Sequence, residues 1–198
     1  DTLEPVMVYK LQSLAERAKR LQMSYSELYN LIVAELTQAI VNKIVDLALV
    51  EGDGTNGFKS IEKEADVKKI KKITTKAKSA GKTPFADAIE EAVDFVRPTA
   101  GRRYLIVKTE DRKALLDELR QATANANVRI KNDEIIVYTG SKALKPTVLV
   151  DQKYHIDMQD LTKVDAFEWK TNSNMILVET LTSGHVETYN AGAVITVA

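Results

Sequence analysis

The residues best suited to chemistry in this chain fall into three groups. The loop Glu51-Gly52-Asp53-Gly54-Thr55-Asn56-Gly57 mixes glycines with oxygen donors, as phosphate- and calcium-binding loops do. The phosphate reading fails because no G-K-[ST] follows and the loop comes after a helical pattern, not before one. The calcium reading would place Glu51, Asp53, Thr55 and Glu62 at loop positions 1, 3, 5 and 12. Its sharp-turn glycine falls one place late, however, and Glu stands where the first Asp is expected. The plainer reading is a helix terminator feeding a tight turn, with Gly52 and Gly54 free to take the left-handed conformation.

Lys68, Lys69, Lys71, Lys72, Lys76, Lys78 and Lys82 occupy 15 residues that contain no acid. Such a run can neutralise phosphates in a sequence-blind, salt-dependent way. No aromatic residue interleaves it, which argues against a stacking platform for single strands. A solvated or intersubunit face and a nucleic-acid contact both remain open. His155 and His185 are 30 residues apart, and neither has a Ser or carboxylate at a motif spacing. Neither H-E-x-x-H nor G-x-S-x-G occurs. Glu90, Glu91 and Asp94 read as the solvent face of an amphipathic helix, and Phe167 with Trp169 as strand packing. Asp151, Asp157, Asp160 and Asp165 show no ligand spacing. The expectation is a chain with no catalytic residues, no cofactor and no metal site.

The elements that carry these residues follow from periodicity. Ser24 and Glu27 have capping-box spacing, and Leu28, Leu31, Ile32, Leu36, Ile40, Ile44 and Leu47 recur at three- and four-residue steps. This predicts a helix over 24–50, roughly 40 Å long at ~1.5 Å per residue. Val6–Tyr9 reads as a strand and Gln12–Leu21 as a short helix. Val67, Ile70, Ile73 and Ala77 keep a helical step through the lysines as far as Gly81. Thr83-Pro84 opens a helix that runs to Val96 before Pro98. Tyr104–Val107 is a strand, Thr109 caps a helix holding Leu115, Leu116 and Leu119, and 134–138 and 147–150 are further strands. The last third reads as an antiparallel meander of strands 164–170, 175–181, 185–189 and 193–197. The turns fall at 172–174, at Ser183-Gly184 and at 190–192. The class is α+β.

Composition adds exclusions. In 198 residues, 28 basic side chains meet 28 acidic ones, 44% are hydrophobic, and there is no Cys. A disulfide scaffold, a thiolate zinc site and a thiol nucleophile are thereby excluded. No apolar run approaches the ~20 residues of a bilayer span, and no signal-peptide pattern opens the chain, so no membrane partner is expected. The zero net charge divides unevenly, as −4 over 1–66, +8 over 67–150 and −4 over 151–198. The first residue is Asp1 and not Met, which reads as a piece of a longer polypeptide.

A strand and helix lead into a long capped helix that ends in Gly52-Asp53-Gly54-Thr55, with apolar Phe58-Lys59-Ser60-Ile61 just beyond. An α/β unit and an antiparallel section follow. This order resembles the major capsid proteins of tailed phages, the Hong Kong 97-type fold. The resemblance implies a spine helix at 24–50 in a peripheral domain of 1–66 and 151–182 with an antiparallel sheet. It implies an α/β axial domain of 67–150 and 183–198. The family's N-terminal arm and extended loop would lie before Asp1. It further implies a structural, non-enzymatic subunit whose partners are copies of itself, in pentamers and hexamers of the full-length protein. Scaffolding protein, portal and packaged DNA, the last through non-specific contact, would be its other partners. Its place would be the virion, after synthesis in the host bacterial cytoplasm. Gly52 to Thr55 become assembly or turn residues, and Lys68, Lys69, Lys71, Lys72, Lys76 and Lys78 become intersubunit or DNA-facing candidates. Alone, the chain is expected to be monomeric or weakly associated. Encapsulin cages share the fold and stand as the alternative shell, and a nucleic-acid module using 68–82 is the other alternative.

Overall fold

The Ser24–Glu27 capping box forms as expected. In the computed structural model the Ser24 hydroxyl accepts from the Glu27 backbone N–H, and the Glu27 carboxylate accepts from the Ser24 N–H at 3.0 Å. The structure describes residues 3–13, 24–76, 83–121, 130–168 and 173–197. Helix α1 (Tyr25–Asp46) buries Leu28, Ile32, Val33, Leu36, Ile40 and Ile44, then widens into a π turn over Leu47–Glu51. The expected helix over 24–50 therefore exists, but its last turn is not α.

The buried stripe of α1 lies on a four-stranded antiparallel sheet. Its centre is β8 (Ser173–Val186), a strand of 14 residues. One flank is β1 (Val6–Ser13), and the other is shared by β7 (Thr162–Glu168) and β6 (Tyr154–Met158). Val8, Ile176 and Val178 join the α1 stripe in one core. Period-two alternation puts Met7, Tyr9 and Leu11 on the opposite face, where they are 54%, 64% and 50% exposed.

The second sheet runs β2 (Ile70–Thr74), β9 (Gly192–Thr196), β5 (Thr147–Val150), β3 (Arg103–Val107), β4 (Ile135–Val137). It is mixed, since β2–β9 and β3–β4 are parallel while β5 is antiparallel to both of its neighbours. One face packs on α2 (Pro84–Val96), with Leu105, Val107, Val148, Val150 and Ile195 meeting Phe85, Ile89, Ala92 and Val96. Leu115 of α3 (Thr109–Gln121) completes that core. The other face gives Val194 and Ile70 to a core with Leu49, Ile61, Tyr138 and Leu144.

Several expectations change. The described part of the lysine stretch is not helical: Ile70 to Thr74 form edge strand β2, with Ile70 and Ile73 buried. Residues three apart lie on opposite faces of a strand, and both isoleucines are buried because Ile73 enters the α2 core and Ile70 the core on the other face. Lysines on an edge strand also discourage further strand addition. Ser183-Gly184 is not a turn but the interior of β8, so 175–181 and 185–189 are not separate strands. The strand ends at Val186, and Tyr189-Asn190 form the turn. A Cβ on Gly184 would meet the Phe58 ring at 2.8 Å and the Tyr154 ring at 2.9 Å, so the glycine serves packing. β1 extends through Ser13 where a helix from Gln12 was expected, and 14–23 lie outside the described residues, as do Lys78, Gly81, Lys82 and Trp169. The C-terminal strands do not form one meander, because β9 leaves for the second sheet. Thr83 makes no side-chain cap to α2. Glu118 of α3 does so instead, accepting from the Phe85 and Ala86 N–H groups at 2.9 and 3.2 Å.

Candidate functional site

The G-D-G-T turn sits where α1, β8 and β2 converge. Gly54 has φ +92°, which an L side chain rarely adopts, whereas Gly52 has φ −56°. What Gly52 needs is space, since a Cβ there would lie 2.6 Å from the Phe58 carbonyl oxygen. The turn is held by its own side chains. Asp53 Oδ1 accepts from the Thr55 N–H at 2.9 Å and the Thr55 hydroxyl at 2.7 Å. These bonds hold the Asp53 carboxyl below its usual range. Asp53 is therefore a turn former. Among the described residues no group of three or more His, Cys, Asp or Glu could hold a metal.

The segment after the turn ties the two sheets together. Phe58 is fully buried in the α1 core, and Lys59 N–H donates to the Gly184 carbonyl at 2.9 Å. The Ile61 N–H donates to the Ala48 carbonyl at 2.9 Å, and the Ser60 hydroxyl to that of Val50 at 3.2 Å. The wide π turn leaves these carbonyls open to acceptance from outside the helix. Around this junction Asp53, Thr55, Lys59, Glu64, Lys69 and Glu187 line a cavity of about 570 Å³. Glu64 is 2% exposed and bonded to the Lys59 ammonium at 3.0 Å. Burial pushes its carboxyl up, but the Asp66 N–H and the Lys59 ammonium outweigh it and hold the group below its usual range.

Three of the five described lysines of the stretch are engaged inside the molecule. Lys69 Nζ donates to the Val186 carbonyl at 2.9 Å, and Lys72 Nζ to those of Ile61 and Glu62 at 3.0 and 2.7 Å. Burial pushes the Lys72 ammonium down. Lys71 pairs with Glu91 at 2.8 Å and lies over the Phe95 ring at 5.8 Å. Lys68 and Lys76 are exposed. The structure thus joins Gly52–Thr55, Lys69 and Lys72 at one junction and turns Lys71 toward α2.

A second set of ties had no local signal in the sequence. The Tyr138 hydroxyl donates to Asp46, and Glu51 bridges Lys43 and Lys142. Burial, reinforced by Asp46, pushes the Tyr138 hydroxyl up to about 12. The Lys142 and Lys43 ammonium groups hold the Glu51 carboxyl down. Both ties run from the end of α1 to the far side of β4. Among the described residues the junction is a mechanical clamp of hydrogen bonds and ion pairs.

Solved structures share this architecture over nearly the whole chain. A virus-like particle from Pyrococcus furiosus superposes with a TM-score of 0.64 at 15% identity, covering 96% of this chain and 75% of that one. This is the Hong Kong 97-type capsid fold. The capsid of an empty GTA particle gives 0.63 at 12% identity over 98% and 77% of the two chains. An encapsulin from Synechococcus elongatus gives 0.60 at 13%, over 97% and 73%. By sequence, the chain is 93% identical to the capsid proteins of Lactococcus phages p2 and SK1, over an alignment that spans 209 positions. The match takes in all of this chain, which spans 53% of those relatives' length. No protein-family model matches. In this capsid fold α1 is the long helix and the G-D-G-T turn is its terminator.

Proposed function

We propose that this chain is the structural part of a phage major capsid subunit that assembles into pentamers and hexamers of an icosahedral head around double-stranded DNA. What carries the reading is a capsid fold over nearly the whole chain together with 93% identity to two lactococcal phage capsid proteins. The identity favours a virus shell over an encapsulin cage, whose likeness is 13%. The occupied ammonium groups of Lys69, Lys71 and Lys72 weigh against a dedicated nucleic-acid module.

The role is assembly, with no catalytic step. The peripheral domain is 1–66 with 151–182 and the axial domain 67–150 with 183–198, save that β8 carries the four-stranded sheet on to Val186. Head-to-tail contacts between identical copies close into rings. The −4, +8, −4 division of charge lets neighbours oppose unlike charges while each copy stays neutral. Scaffolding protein and portal act as assembly partners, DNA meets the shell non-specifically, and the subunit is made in the host cytoplasm and ends in the virion. By itself the chain is monomeric or weakly associated, and light scattering from closed shells of the chain alone would contradict this.

The test is genetic. This chain replaces its matching segment in the capsid gene of Lactococcus phage p2. Plaque formation is expected, and a stable, soluble hybrid protein that supports no plaques would overturn the reading.

A further inference from the structure

The loop after the π turn holds the chain's one Asp-Gly pair, Asp53-Gly54, and its one Asn-Gly pair, Asn56-Gly57. Both pairs are prone to closing a five-membered succinimide, because a glycine without Cβ leaves its backbone nitrogen open to the preceding side chain. The fold treats them differently. Asp53 Oδ1 is taken by the Thr55 N–H and hydroxyl, and these bonds favour the charged carboxylate, a poor electrophile. Asn56 is neutral, and its Oδ1 accepts from the Phe58 N–H at 3.3 Å. That Asx turn folds the carboxamide back toward the Gly57 nitrogen, and the bond draws electron density from the carboxamide carbon. Among the described residues the Gly57 N–H has no acceptor of its own. Asn56 is half-buried and lines a cavity of about 370 Å³ with Val6, Tyr9 and Lys43, room for several waters.

We propose that Asn56 is a site of spontaneous modification, closing on the Gly57 nitrogen to a succinimide that opens to aspartate or isoaspartate. A base removes the Gly57 amide proton, the nitrogen bonds to Asn56 Cγ, and the side-chain nitrogen leaves as ammonia. Water then adds to the ring. Attack at the side-chain carbonyl leaves aspartate, and attack at the main-chain carbonyl leaves isoaspartate, with one more carbon in the backbone. Nothing is oxidised or reduced. The two products differ in consequence. Aspartate keeps the path of the chain and still accepts from the Phe58 N–H. Isoaspartate lengthens the backbone where there is no slack. The Gly57 carbonyl accepts from the Gly184 N–H at 3.0 Å, and a Cβ on Gly57 would already meet the Glu4 carbonyl oxygen at 2.9 Å. Isoaspartate therefore loosens the tie between this loop and β8.

The folded chain is aged at neutral and at mildly alkaline pH and then digested briefly with trypsin. Peptide 44–59, bounded by Lys43 and Lys59, is read by mass spectrometry with fragmentation. Conversion is expected at Asn56 and not at Asp53, and faster at the higher pH. Its rate should lie within about tenfold of that in the same peptide free in solution, since the turn already sets the reacting groups together. Asn56→Gln, checked by circular dichroism for an unchanged fold, needs a larger ring and is expected to abolish the signal. The isoaspartate form, separated by chromatography and confirmed with an isoaspartyl methyltransferase, should unfold at lower urea than Asn56→Asp, which mimics the other product. A slower folded-chain rate, conversion at Asp53 instead, an undiminished signal in Asn56→Gln, or equal urea midpoints for the two products would overturn the proposal.

Discussion

The two sheets differ in how many faces they bury. The five-stranded sheet is covered on both sides, by α2 and α3 on one and by the π turn, Ile61 and Leu144 on the other. Among the described residues the four-stranded sheet has α1 on one side only, and its other face presents Met7, Tyr9 and Leu11 opposite Leu181, Glu179 and Leu177. The first is the interior of a domain and the second is half of a layered pair. Stability therefore concentrates in the two-sided sheet and in the junction, while the open face contributes little to the folding of an isolated chain.

Substitutions grade this contrast. The largest effect is expected for Ile89→Ala, which empties a fully buried site on α2 and should lower unfolding free energy by about 2–5 kcal/mol in urea denaturation. Gly184→Ala, which drives a methyl into the Phe58 and Tyr154 rings, should cost about 1–3 kcal/mol by the same assay. Leu11→Thr on the open face should stay within about 0.5 kcal/mol. A loss at Leu11 equal to that at Ile89 would break the comparison, because both faces would then support the fold alike.

The pH dependence sharpens the role of the junction. Glu51 and Glu64 are held below their ordinary 4.5, so the folded state releases those protons more readily than the unfolded chain. Their contribution is complete above about pH 4.5 and is lost as pH falls through the lowered folded values. Tyr138 and Tyr154 are held above 10.0, so their contribution is complete below pH 10 and is lost as pH rises through the raised values. Urea midpoints should therefore fall at both extremes, and Tyr138→Phe should make the alkaline fall shallower.

Helix α1 was legible because its cap and its apolar stripe are local and agree. β3 and β5 were legible because sheets buried on both faces leave short, continuous apolar runs such as Tyr104–Val107 and Thr147–Val150. β2 was misread because Ile70-Lys71-Lys72-Ile73 has no strand alternation, and its pairing with β9 spans more than a hundred residues. Gly184 read as a turn because glycine in a strand and glycine in a turn look alike until the ring of Phe58 is in place. At the candidate site, the turn formed by Gly52 to Thr55 was readable from glycine and Asx chemistry. The ties of Asp46 to Tyr138 and of Glu51 to Lys142 were not, since charged and polar partners this far apart carry no spacing rule. The pairing of His155 with His185 across β6 and β8 escaped for the same reason, its register being a property of the sheet.

The central claim is that this chain supplies the structural part of a capsid subunit. It is tested most directly by electron microscopy of the Lactococcus phage p2 capsid protein carrying this chain in place of its matching segment. Closed icosahedral particles like those of the unsubstituted protein are the predicted result. A folded hybrid that stays unassembled under conditions where the unsubstituted protein forms shells would contradict the account.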